Sequence, residues 1–132
     1  MSKAGEFLRK RAQEFWERGR EDLEKERFNL TALDIEQAIQ LWLKYLIFKK
    51  AGDYPKTHNF DVLIRELSEI YDLPEAVKFY QEFALQFRML EDSYITSRYL
   101  AREFTKEEAE KIIEFAHKII KFFEERLNEK LV

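Results

Sequence analysis

The chain has no cysteine among its 132 residues, and only three glycines and two prolines. Without a thiol it can form no disulfide, bind no metal through thiolate and use no cysteine nucleophile, which suits a reducing, cytoplasmic setting. So little Gly and Pro is poor material for the many tight turns of a sheet protein. Three scattered glycines also cannot build a phosphate-cradling loop or a Gly-x-Gly-x-x-Gly fingerprint. No apolar run approaches the roughly 18 residues that a membrane span needs. The first residues bring charge early, at Lys3 and Glu6, unlike a secretory signal. A soluble protein with no membrane partner is expected. A basic excess is missing as well: 23 Lys and Arg stand against 26 Asp and Glu, a net charge of −3. A protein whose main task is to grip long stretches of phosphate carries the opposite balance, although a local basic patch stays open.

What is present is aromatic and charged: 12 Phe, 6 Tyr and 2 Trp, with 37% charged residues. Aromatic packing must therefore supply much of the core. The Glu- and Lys-rich, Cys-free composition resembles that of thermophile proteins. The length suits one domain, 1–132, able to hide about two-thirds of its unfolded surface. Neither an internal repeat nor a low-complexity linker interrupts it, and no stretch alternates with period two long enough to make a strand.

Periodicity points to an all-α, up-and-down helical bundle of four long helices plus one short helix. From Phe7, the positions Leu8, Ala12, Phe15/Trp16, Gly19 and Leu23 form one stripe, and Gly19 on it predicts close approach of another backbone. A second helix is expected to start near Asn29 or Thr31, with Thr31 and Asp34 as a weak capping box, and to stop at Gly52. From Leu41 to Phe48 only Lys44 is charged, so this helix must be surrounded by others. After the loop Gly52–Thr57, the positions Phe60, Leu63, Ile64, Leu67 and Ile70 mark the short helix. A fourth helix, opened by Pro74 in its first turn, is read as continuous from Val77 to Tyr94, and Thr105 with Glu108 caps the last.

Few residues suggest chemistry. The two histidines, His58 and His117, lie far apart, and the di-metal motif Glu-x-x-His occurs once, at Glu114 and His117, so no metal or cofactor is implied. His117 borders the apolar face of the last helix and reads as a structural histidine. His58 follows Thr57, a candidate cap for the short helix; positioning that helix and contacting a ligand are both open to it. Lys44 must snorkel to solvent, face a carboxylate or meet a bound anion. The segment Tyr94-Ile95-Thr96-Ser97-Arg98-Tyr99, extended by Arg102, concentrates phenols, hydroxyls and a guanidinium, which suits stacking a base or clamping a phosphate. Fixing the helix end by packing is the competing reading. Apolar residues left over at the bundle's edge predict a two-fold homodimer.

Three segments carry a family resemblance: Gln37-Ala38-Ile39-Gln40-Leu41-Trp42-Leu43-Lys44, Thr57-His58-Asn59-Phe60 and Ser97-Arg98-Tyr99. In this order and spacing they resemble the HEPN domain (higher eukaryotes and prokaryotes nucleotide-binding domain), over the span from Phe7 to Leu127. The resemblance implies a homodimeric helical bundle, often encoded beside a small nucleotidyltransferase in toxin–antitoxin-like pairs. In many members it implies a metal-independent endoribonuclease. The ribonuclease branches carry Arg followed four to six residues later by His, and neither His58 nor His117 has such an arginine. Gln40 stands where many members have Glu, which removes a charge that could partner Lys44.

The expectation is therefore a non-catalytic, nucleotide-associated dimeric module, with Lys44, His58, Tyr94, Arg98 and Tyr99 as candidate contacts for a nucleotide or anion. Two alternatives compete with it. One is a ribonuclease using His58 with Arg98 and Tyr99, since His and Arg can supply proton transfer and phosphate stabilisation. The other is a purely structural dimerisation or adaptor bundle.

Overall fold

The computed structural model describes residues 3–131, and among these all regular structure is helical. Helix α1 (Lys3–Glu24) turns through Lys25–Arg27 into α2 (Phe28–Ala51), with Glu26 in a left-handed conformation at φ 60°. Then follow α3 (Phe60–Ile70), α4 (Glu75–Glu82), α5 (Ala84–Tyr99) and α6 (Lys106–Leu127).

The apolar second helix is central. It packs on α1, α3, α5 and α6, and buries Ile35, Ile39, Trp42, Leu43, Leu46 and Ile47. Gly52, at φ 83°, closes it with a left-handed cap whose N–H donates to the Phe48 carbonyl at 2.8 Å, as its sequence position predicts. Gly19 lets α1 settle on α2: a Cβ there would lie 2.7 Å from Ile35 Cδ1. The close approach is to an α2 side chain rather than to bare backbone.

The helix count departs from four long and one short. The expected fourth helix is two, because the chain bends at Phe83, which ends α4 and opens α5 with φ −111° and ψ 26°. Neither Gly nor Pro marks the bend; aromatic packing accompanies it. On one side Phe79 stacks on Phe122 of α6 with centroids 4.3 Å apart. On the other, Phe87 sits between Phe60 and Phe115 at 5.9 and 4.9 Å. The bend lets α4 rest on α3 while α5 lies along α2.

Three caps also differ. Helix α2 begins at Phe28, ahead of both expected caps: Thr31 Oγ1 donates back to the Arg27 carbonyl, and Asp34 pairs with Arg18 instead of closing a capping box. Asn29 instead ties the start of α2 to the α5–α6 connection, donating to the Arg102 carbonyl and accepting from the Phe104 N–H. At α3 the cap is Asn59, whose side chain accepts from the Asp61 N–H at 2.8 Å, while the Thr57 hydroxyl, two residues before it, accepts from the Asn59 N–H. The Thr105–Glu108 capping box of α6 is present in full.

Candidate functional site

The mid-section of α2, the loop before α3 and the outer half of α5 meet in one polar cluster. From α2 come Glu36, Gln40 and Lys44, which follow at four-residue steps and so share a face, with Gln37 beside them. Glu36 is wholly buried. Its carboxyl accepts from Gln37 Nε2 at 2.8 Å and from Gln40 Nε2 at 3.0 Å. The Gln40 nitrogen also donates to the His58 carbonyl at 2.6 Å, which pins the loop to α2. Glu91 on α5 pins the next peptide by accepting from the Phe60 N–H at 2.8 Å, an acidic group at the start of α3 as the helix dipole favours.

On the outer side of that clasp lie four of the five residues expected from the sequence. The His58 imidazole stacks on the Tyr94 ring, with centroids 5.2 Å apart and planes 24° apart. The Arg98 guanidinium lies 4.9 Å over the same ring and 4.9 Å over that of Tyr99, and its Nη1 donates to the Tyr94 hydroxyl. His58, Arg98 and Tyr99 are solvent-exposed and Tyr94 is half-buried. Among the described residues Arg98 faces no carboxylate within ion-pair distance, so its charge is open to an anion.

Lys44 sits nearby but not in the stack. It is half-buried, with its ammonium 5.9 Å above the Tyr54 ring and no carboxylate at ion-pair distance among the described residues. Burial lowers its pKa, and the Glu36 charge acts the other way. The Glu36 carboxyl is pushed up to about 7, first by burial; the bonds from Gln37 and Gln40 oppose this, Glu91 reinforces it and Lys44 counters it. His117 lies elsewhere, exposed, with its edge against Trp16 at 5.4 Å.

Sequence reasoning passed over Glu36 and Glu91. The signal for Glu36 was available: a carboxylate two turns before Lys44 in a helix expected to be surrounded has to find partners. Glu91 gave no such signal, since its partner is a backbone N–H.

A second feature flanks the other side of α5. A groove of about 500 Å³ separates α5 from α6, lined by Leu85, Met89, Phe104, Ile112 and Phe115, with Leu85 and Met89 largely exposed. A separate buried cluster joins α1 to α2. There Arg18 makes a two-pronged contact with Asp34 at 2.8 and 3.1 Å, Asp22 lies against Asp34, and Arg27 reaches Asp22 at 3.6 Å.

No helix among the described residues is long and apolar enough to cross a membrane. No curated protein and no solved structure was found to match the chain. The model of the HEPN domain family does match, over residues 5–127, which covers all six helices but for the first residues of α1. With the helical fold and nearly the whole length accounted for, the chain belongs to the HEPN domain family.

Proposed function

We propose that this chain is a nucleotide- or RNA-associated HEPN module that binds without cleaving, acts as a homodimer and works beside a small nucleotidyltransferase in a toxin–antitoxin-like pair. The observation that carries the binding part is the row of planar groups, His58 on Tyr94 with Arg98 over Tyr94 and Tyr99. A base extends such a row by stacking, and a phosphate meets the open guanidinium. The support for a dimer is the apolar groove with exposed Leu85 and Met89, which a second copy would cover. The nucleotidyltransferase partner rests on what the family resemblance implies.

Fluorescence anisotropy with labelled single-stranded RNA, calorimetry with mononucleotides and co-purification with the neighbouring gene product test the reading. Binding that disappears in Arg98→Ala supports it. No binding by the wild-type chain leaves only the structural bundle. Ultracentrifugation of wild type and Met89→Lys tests the dimer.

One observation favours a second reading: His58 and Arg98, from separate segments, converge on one tyrosine, as a non-standard ribonuclease using His58, Arg98 and Tyr99 would require. RNA cleavage by the purified chain that is lost in His58→Ala would establish it over the binding reading.

A further inference from the structure

The Gln40 amide is an unusual joint. Its nitrogen has two hydrogens, and both are used, one on Glu36 Oε2 and one on the His58 carbonyl. Its oxygen is buried and accepts from nothing. Such an orphan is uncommon in a native interior, where nearly all buried polar atoms are paired.

We propose that Glu36 is a positioning residue for the His58–Tyr94 stack: the charge on its buried carboxyl is passed through the Gln40 amide to the His58 carbonyl and decides whether the loop holds the imidazole against Tyr94. The inference rests on the binding reading for its purpose, but not for its test.

The argument is one of donors and acceptors. Ionised Glu36 only accepts, so it takes one hydrogen from Gln37 and one from Gln40. In that state the Gln40 amide cannot turn round, because its oxygen would face two acceptors, the carboxylate and the carbonyl. Once protonated, Glu36 carries an O–H that needs an acceptor. The buried acceptor with no donor of its own is Gln40 Oε1. Turning the amide to present it places that oxygen where the nitrogen had held the His58 carbonyl at 2.6 Å, so the clasp on the loop opens. The Glu91 bond to Phe60 N–H still anchors the start of α3, which confines the release to the residues before it.

The charged groups acting on Glu36 are Glu91 on α5 and Lys44 on its own helix; burial, reinforced by Glu91, outweighs Lys44 and the bonds from Gln37 and Gln40, which puts the switch near neutral pH. Lys44 thereby gains a reason for its position: an anion arriving beside it would neutralise the charge that favours ionised Glu36. Ligand and loop are coupled through one carboxyl.

The test uses nitrogen-15 NMR of the full chain between pH 5.5 and 8.5, without ligand. It is carried out in a His58→Gln background so that imidazole titration does not contribute. Three signals are followed: the side-chain amides of Gln37 and Gln40, and the backbone amide of Asn59, which is bonded to the carbonyl of residue 58. A common step near pH 7 at Gln40 and Asn59 is expected, and Glu36→Gln should abolish it. Gln40→Met should keep the step at Gln37 and erase it at Asn59, which decides the matter if Glu36→Gln does not fold. A flat Asn59 signal in the background protein, or an Asn59 step that survives either substitution, overturns the proposal. So does a step confined to Gln37, since the proton would then be absorbed at the helix surface. A clean step together with no nucleotide binding removes the binding reading and leaves the relay intact.

Discussion

The imidazole of His58 and the phenol ring of Tyr94 lie nearly parallel, 5.2 Å apart, although one belongs to a loop and the other to the outer half of α5. Neither segment alone would orient its ring. Tyr94 is fixed by the helix, and His58 is brought to it by two clasps on adjacent peptides, from Gln40 and Glu91. This pre-formed surface leads to the first prediction. Stacking on an aromatic ring is worth about 1–3 kcal/mol per base, so Tyr94→Leu should weaken binding of single-stranded RNA roughly 10- to 100-fold, while Tyr94→Phe should keep most of it. Equal affinities in a fluorescence titration of the two variants would remove Tyr94 from the binding surface.

The buried acidic pair between α1 and α2 makes stability depend on pH. Burial, and then the neighbouring Asp34, hold the Asp22 carboxyl above the ordinary carboxylate range. The folded state therefore binds this proton more tightly than the unfolded chain does. The stabilisation is complete below the unfolded value of about 4 and is lost as the pH rises past the raised folded value. At pH 7.5 two negative carboxylates face each other with only Arg18 and, more distantly, Arg27 to offset them. Asp22→Asn stays neutral and can donate to Asp34. Urea unfolding should find it more stable than wild type by roughly 1–2 kcal/mol at pH 7.5. The difference should shrink toward pH 5, and an unchanged gap would show that the Asp22 carboxyl does not titrate in this range.

Gly19 illustrates the opposite case, a position where the usual gain from alanine in a helix is outweighed. Replacing Gly by Ala in a helix interior gains about 1 kcal/mol from propensity alone. Here the new methyl would stand 2.7 and 2.9 Å from two carbons of Ile35, which is fully buried and cannot swing away. Overpacking of this kind costs about 1–3 kcal/mol. Gly19→Ala should lower the urea midpoint, and a raised midpoint would mean that α1 slides along α2 at little cost.

The cap of α6 is the simplest local prediction. Thr105 Oγ1 accepts from the Glu108 N–H at 3.1 Å, and Glu108 returns the contact to the Thr105 N–H at 2.9 Å. Those bonds hold the Glu108 pKa below its usual value, the one to the Thr105 backbone most of all. Thr105→Ala should cost about 1 kcal/mol, measured as a drop in thermal midpoint that Thr105→Ser largely restores.

Much of this was legible in the sequence, because the rules that govern it are local. A helix charged only at Lys44 from Leu41 to Phe48 had to be central. Gly52 had to stop it, and Thr105 with Glu108 had to start the last helix. The planar residues of the Tyr94–Tyr99 segment stood out in the sequence, and they do pack on one another and on His58. What escaped was set by tertiary partners. The bend at Phe83 has no Gly or Pro, and it coincides with Phe79 packing on Phe122 and Phe87 packing between Phe60 and Phe115. Asn29 looked like a cap, yet its amide serves the distant Arg102–Phe104 segment. Glu36 drew no reading from the sequence, and its burial under the α3 loop is set by the tertiary contact that Gln40 makes to His58.

The central position of α2 also governs how the molecule comes apart. Helices α1, α3, α5 and α6 all rest on it, so opening the structure enough to expose its amides means dissolving most of the core at once. Hydrogen exchange in the middle of α2 should therefore proceed only through global unfolding, at the slowest rate in the chain. Helix α4 is different: it has eight residues, rests chiefly on α3, and is bounded by Pro74 and by the bend at Phe83. It can detach as a unit while α2 stays covered. Mass-spectrometric exchange should find its peptides exchanging well ahead of the rest, making α4 the weak link of a bundle that otherwise unfolds as one.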